Sequence, residues 1–246
     1  MIKRRDGWLF LSHSSRDLKL VRSIRNTLED SGFQPITFFL KSVTDKKELD
    51  ELIKREIDAR RWFVFVNSEN SQCSEWAKLE LEYAQSKNKE ILFLDTTGNY
   101  RAQLEAFARR NTVFISHSMR DKKLVKTLKK QISRNDLQVL WNTKYLKDQW
   151  PLEMKQQIRS AGIWVLLITE NSINSHHVKQ EIYLAIDKRK PIFVVRVGGA
   201  CFNQEIEYAL SRSNPVHEVA LSQTPTREEF SHMRAAITQF QKEYDL

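Results

Sequence analysis

Phe10-Leu-Ser-His-Ser-Ser-Arg-Asp-Leu-Lys-Leu-Val21 returns 104 residues later as Phe114-Ile-Ser-His-Ser-Met-Arg-Asp-Lys-Lys-Leu-Val125. Between Phe10 and Leu28, nine of 19 positions are identical to their partners. A second block, residues 60–95, aligns without gaps on residues 161–196 at an offset of 101, with 11 identities in 36 positions. Unrelated stretches of average composition would agree at about one position in 17. The 246-residue chain is therefore a tandem duplication, three residues shorter in the middle of its second copy. A period of about 100 residues is the size of a domain, not of a solenoid repeat. Two domains are expected, over residues 1–110 and 111–246, abutting without a flexible linker.

Each copy reads as alternating strands and helices. Short apolar runs at residues 8–11, 36–40, 62–66 and 91–94 have counterparts at 113–115, 137–141, 163–168 and 192–197. Continuous apolar runs of this length, several rich in aromatic or β-branched residues, suit strands buried on both faces of a parallel sheet. Helical spacing marks Leu18, Val21, Ile24 and Leu28, then Leu49, Leu52, Ile53 and Ile57, then Leu79, Tyr83 and Ala84. Such alternation predicts an α/β fold with ligands at the carboxyl ends of the strands. The copies end differently. The second continues with a helical segment at 202–210, a strand at 216–221 and a long helix. In that helix Thr226 and Glu229 have capping-box spacing, and Phe230, Met233, Ile237, Phe240 and Tyr244 share one face. The first copy has only residues 99–110 in that place, which leaves no room for a fifth strand and a last helix.

Composition narrows the class. With 41% hydrophobic and 29% charged residues, the chain is globular rather than disordered or collagen-like. The apolar run at 163–168 falls far short of the ~20 residues of a membrane span, and no secretory signal follows the charged start, so a cytoplasmic protein without membrane contact is expected. Two cysteines, Cys73 and Cys201, make neither a disulfide framework nor a zinc cluster. No His stands in metal-ligand spacing, so no metal is expected. The net charge of +9 includes Lys122, Lys126, Lys129 and Lys130 on one face of a helix. That face reads as solvated surface, and nucleic acid is not expected as a partner.

Three shared features are candidates for chemistry. Ser12-His13-Ser14 and Ser116-His117-Ser118 follow the first strand of each copy. Hydroxyls at a strand-to-helix turn can cap the helix, or can present backbone N–H groups to an anion. The histidines read as local hydrogen-bonding residues. Ser74 and Ser175 stand where a helix cap would, and Glu80 and Glu181 follow near the second turn. On spacing alone each glutamate reads as a surface residue. The loop after the second strand carries Leu146 and Trp150 in the second copy but no aromatic in the first. Trp150 is a candidate stacking surface or a packing anchor.

Taken in order, Phe-[Leu/Ile]-Ser-His-Ser-x-Arg-Asp, Leu146-Lys-Asp-Gln-Trp150 and Ser74-Glu-Trp-Ala-Lys-Leu-Glu80 resemble the Toll/interleukin-1 receptor (TIR) domain family, its bacterial members above all. The resemblance implies two flavodoxin-like domains, each a parallel sheet of four to five strands flanked by helices. It also implies one of two functions. Enzymatic members cleave the nicotinamide–ribose bond of NAD by hydrolysis, cyclisation or ADP-ribosyl transfer, and bacterial ones serve antiphage defence; NAD is then substrate, and no cofactor is needed. Other members are non-catalytic scaffolds that self-associate or recruit TIR proteins, here through the loop around Trp150. In the enzymatic case Glu80 and Glu181 match the catalytic position. Ser12, His13, Ser14, Ser116, His117, Ser118, Leu146 and Trp150 would then line the NAD site, with the second copy's loop completing the pocket of Glu80. The second copy departs from the family at His177, where Trp is usual.

Overall fold

Strands buried on both faces need helices above and below, and both copies supply them. The computed structural model describes residues 7–37, 46–142, 158–201, 203–212 and 216–244. The chain divides into two units, Met1–Phe107 and Ala108–Leu246. In the first, β1 (Trp8–Ser12), β2 (Gln34–Ile36), β3 (Trp62–Asn67) and β4 (Glu90–Asp95) form a parallel sheet in the order β2-β1-β3-β4. Its helices are α1 (Leu18–Asp30), α2 (Lys46–Ala59), the single turn α3 (Glu69–Gln72), α4 (Glu75–Ser86) and α5 (Tyr100–Asn111). The second unit repeats this with β5 (Thr112–Ser116), β6 (Gln138–Trp141), β7 (Ile163–Ile168), β8 (Ile192–Val197) and β9 (Val216–Leu221), in the order β6-β5-β7-β8-β9. All of its strand pairs are parallel too. Here the helices are α6 (Lys122–Ile132), the turn α7 (Glu170–Ile173), α8 (His176–Asp187), α9 (Gln204–Ser211) and α10 (Arg227–Glu243).

Register survived the duplication. Phe10 pairs with Phe63 in the first sheet, and their equivalents Phe114 and Trp164 pair in the second. The rings of the same pairs meet across the buried face, stacked at 5.4 Å in the first sheet and tilted at 4.7 Å in the second. A one-residue slip would turn each strand's apolar side chains to the opposite face, so two buried faces fix the register. The shared lysines also have a structural task. Lys89 donates to the carbonyls of Asp58 and Arg60, and Lys190 to those of Arg159 and Ala161. Each thereby satisfies acceptors left over where a segment ends just before a strand.

The units differ in what lies beyond the fourth strand. β4 has no neighbour on its outer side among the described residues, whereas β8 pairs with β9. Phe93 of β4 is consequently 49% exposed, while its equivalent Val194 is buried in a cluster with Ile206, Ala209 and Leu210 of α9. A helix is nevertheless present where α10 lies in the second unit. Phe107 of α5 packs on Phe33 and Trp62 at ring separations of 5.2 and 6.4 Å. The equivalents of those two, Leu137 and Ile163, share a buried cluster with Met233, Ile237 and Phe240 of α10. Thr226 and Glu229 form the reciprocal capping box at the start of α10, as their spacing predicts. Tyr244, expected on the buried face, is 41% exposed, with its ring 4.9 Å from that of Phe240.

Helix α5 runs straight into β5, and the boundary between the units falls inside it. Within the second unit Gly162 donates to the carbonyl of Thr112, and a Cβ built on Gly162 would lie 1.9 Å from the carbonyl oxygen of Arg109. No other residue fits there without moving the main chain. The face α5 covers makes a direct prediction: Phe107→Ala costs the first unit about 3–5 kcal/mol, read as a lowered midpoint in urea denaturation.

Candidate functional site

Helix α4 is placed by its cap. Ser74 accepts from the backbone N–H of Ala77, and Ser175 does the same for Val178 at the start of α8. With the first turn so fixed, 100° per residue decides which side chains face the sheet. In α4 these are Ala77, Glu80 and Ala84, and in α8 they are Val178, Glu181, Ile182 and Ala185. Leu79, expected on the apolar stripe, points outward at 52% exposure. The carboxylates take the inner place. Glu80 is 9% exposed and Glu181 is 0% exposed, which overturns their reading as surface residues. The signal missed was the small residues three before and four after Glu80, Ala77 and Ala84, which let the helix lie close to the sheet.

Each buried carboxylate meets a serine at the carboxyl end of the first strand. Ser12 Oγ donates to Glu80 Oε2 at 2.5 Å, and Ser116 Oγ donates to Glu181 Oε2 at 2.5 Å. The strand order places these pairs beside the switch point of each sheet, where open α/β sheets bind ligands. Burial pushes the Glu80 carboxyl up to about 7, against the opposing pull of the Ser12 hydrogen bond. A shallow cleft, open to solvent, lies between α2 and α4, lined by Glu80 with Trp76, Tyr83, Asp50 and Lys54. Tyr83 donates to Asp58, and Lys54 pairs with Asp50 and lies 5.6 Å from the Tyr83 ring.

The other residues singled out by sequence divide. Ser14 and Ser118 cap the following turns, accepting from the N–H of Arg16 and Arg120. The Ser14 N–H itself is spent on Ser71 Oγ. His13 Nδ1 bonds the carbonyl of Ser14, and His117 Nδ1 that of Ile115. Burial lowers both imidazoles below their ordinary value, so they are neutral at pH 7. His117 is fully enclosed, with its ring 5.6 Å from Trp141. Leu146 and Trp150 lie outside the described residues. Among the described residues, no group of His, Cys, Asp or Glu is arranged to hold a metal ion. Within the same limit, no helix is long and apolar enough to cross a membrane.

One shared residue had no assigned task and proves central. Asp17 accepts from Ser68 Oγ at 2.5 Å and Asn70 Nδ2 at 2.6 Å. Asp121 accepts from Thr169 Oγ1 at 2.6 Å and Asn171 Nδ2 at 2.7 Å. These bonds tie the turn after the first strand to the turn after the third, just ahead of the helix that carries the glutamate. The recurrence of Glu-Asn-Ser at 69–71 and 170–172 was the available sign.

The TIR domain family matches the chain twice, over residues 9–109 and 113–234. No curated protein matches it. Among solved structures, the CMP N-glycosidase BcmB of Clostridium botulinum is similar at 18% identity over 52% of this chain and 99% of that one, with a TM-score of 0.39. A mutant flavo di-iron protein from Thermotoga maritima is similar at 12% identity over 87% of this chain and 57% of that one, also with a TM-score of 0.39. Likenesses this distant carry no argument about chemistry. The aspartate ties do carry a prediction. Asp17→Asn or Asp121→Asn sets an amide N–H against a donor and lowers stability by about 1–3 kcal/mol, measurable by thermal denaturation.

Proposed function

The chain belongs to the TIR domain family, and from that premise we propose that it cleaves the nicotinamide–ribose bond of NAD at the cleft beside Glu80. The observation that carries this reading is a single enclosed carboxylate, held by Ser12 at the carboxyl end of β1 and lining an open cleft. Nicotinamide leaves as a neutral molecule from a cationic pyridinium, taking the bonding electron pair, so no acid has to protonate it. What the site must do is stabilise the positive charge that grows on the ribose. A fixed carboxylate with little water around it does that at no cost of reorganisation, because its position is set before the bond breaks. Ser12 holds one carboxylate oxygen and leaves the other for the sugar. Capture of the ribosyl cation by water gives ADP-ribose; capture by a nucleophile elsewhere in the substrate gives a cyclic product. Depletion of NAD, or a signal made from it, fits a role in bacterial antiphage defence.

Glu80 ranks ahead of Glu181 because Glu80 lines an open cleft bounded by described residues, while Glu181 is 0% exposed. Trp76 stands in the cleft of the first unit, and the second unit has His177 at that position. A second reading is a non-catalytic scaffold that recruits other TIR proteins. It is favoured by the size of the cleft, which as bounded by the described residues is smaller than the ~300–1,000 Å3 of ordinary ligand pockets.

Incubation of the purified chain with NAD separates the two readings by whether nicotinamide is released. Under the first reading, Glu80→Gln lowers turnover on the order of 10²–10³-fold, and Glu181→Gln leaves most of it. The rate rises with pH through about 7, as Glu80 loses its proton. Nicotinamide release by Glu80→Gln at the parent rate would exclude Glu80, and no release by the parent chain would leave the scaffold. Stability runs the other way. A carboxyl whose folded value lies above its ordinary one keeps more protons in the native state, so stability falls as pH rises from 4.5 to about 7. The fall is on the order of 3 kcal/mol. Glu80→Gln, which keeps an acceptor for Ser12, is therefore expected to melt higher than the parent at pH 8 and alike at pH 4.5.

A further inference from the structure

Most of the chain's excess positive charge sits on one helix and the turn before it. The net charge is +9, and residues 120–134 hold seven Lys or Arg against a single acid, Asp121. Asp121 is buried and already bonded to Thr169 and Asn171. The aligned residues 16–30 of the first copy hold four basic against three acidic, and there Arg25 pairs with Glu29 at 2.8 Å. The inner faces of the two helices stayed alike, with Val21, Ile24 and Leu28 buried in α1 and Val125, Leu128 and Ile132 in α6. Only the outer faces diverged.

At 100° per residue, the five lysines of α6 fall within an arc of about 120°. Lys122, Lys123, Lys126 and Lys130 are exposed, and none of these four has an ion-pair partner among the described residues. Arg120 and Arg134, both exposed, extend the strip at either end. Arg234 of α10 adds a further cation alongside, where its guanidinium donates to Gln131 at 2.7 Å. Like charges one turn apart, as at Lys122, Lys126 and Lys130, weaken a helix in isolation. Here Lys122, Lys126 and Lys130 persist without an ion-pair partner among the described residues.

We propose that the outer face of α6 binds the phosphate backbone of duplex nucleic acid, without regard to base sequence. Lys122 to Lys130 rises about 12 Å along the helix, against a duplex that carries one charge per ~1.7 Å of its axis. A lipid surface fits less well, because helices that lie in a bilayer interface insert an apolar face, and that of α6 is already in the core. Protein interfaces are poor in Lys and rich in aromatics, the opposite of this strip. The strip also lacks an aromatic on which an unpaired base could stack, which favours a duplex over a single strand. The proposal is independent of NAD cleavage.

The test is fluorescence anisotropy of a labelled random-sequence duplex of about 20 base pairs, titrated with the full chain between about 50 and 200 mM salt. Binding is expected to weaken steeply with salt. The K123Q/K126Q/K130Q variant is expected to bind at least about tenfold more weakly at the lowest salt, with the log–log salt slope flattened by about 2–3. K19Q/R22Q on α1 changes neither quantity. Far-UV circular dichroism checks the fold of the triple variant. If helix signal is lost, the single Lys126→Gln variant carries the test, with the slope reduced by about 0.9. The proposal is overturned if the duplex does not bind at low salt, or if the lysine variants bind as the parent does. It is equally overturned if anionic phospholipid vesicles bind more tightly than the duplex through the same lysines.

Discussion

A carboxyl group removed from water must be held, and in each half of this chain a serine of the first strand takes part in holding it. The hydrogen bonds from Ser12 to Glu80 and from Ser116 to Glu181 join the first strand to the helix after the third. They constrain much of what surrounds them. The helix must approach the sheet closely, so small or slim side chains flank the glutamate: Ala77 and Ala84 in one copy, Val178 and Ala185 in the other. The helix must also start at the right angle, which Ser74 and Ser175 set by capping it. Finally, the turn that carries the serine must not drift, and Asp17 and Asp121 fasten it to the neighbouring turn. A polar group that is costly to bury is kept in place by several groups that themselves cost little.

The architecture was legible because a parallel sheet leaves a plain mark. The continuous apolar run at 163–168 became β7 and the nearly continuous one at 192–197 became β8 without change of bounds, since strands covered on both faces have few polar positions to confuse the pattern. The loss was at the edges. The second strand of the first copy, expected at 36–40, is Gln34–Ile36, and residues 38–45 lie outside those described. Among the described residues Gln34–Ile36 has only one neighbour and none of its three residues is buried, so it has less packing to write into its sequence.

The site was legible only in part, for a different reason. Periodicity sorts apolar from polar residues, and a buried Glu is polar by that measure, so spacing put it on the wrong side of its helix. Leu79 was misplaced by the same rule. The histidines beside the serines drew attention through their chemistry, yet their nitrogens serve local carbonyls. Asp17 and Asp121 drew none, because an aspartate after arginine on a turn looks like ordinary surface. Their partners lie about 50 residues away, at Ser68 and Asn70 or Thr169 and Asn171, and only the folded chain brings them together.

The close approach of Gly162 to Arg109, inside the second unit, makes the duplication directional. The two copies descend from one sequence, but they can no longer trade places. Were the first half transplanted behind α5, Arg61 would occupy the position of Gly162 and drive its side chain into the main chain at Arg109. An exchange of the halves would therefore meet a clash at this backbone contact. A gene that began as two interchangeable modules has become one ordered polypeptide.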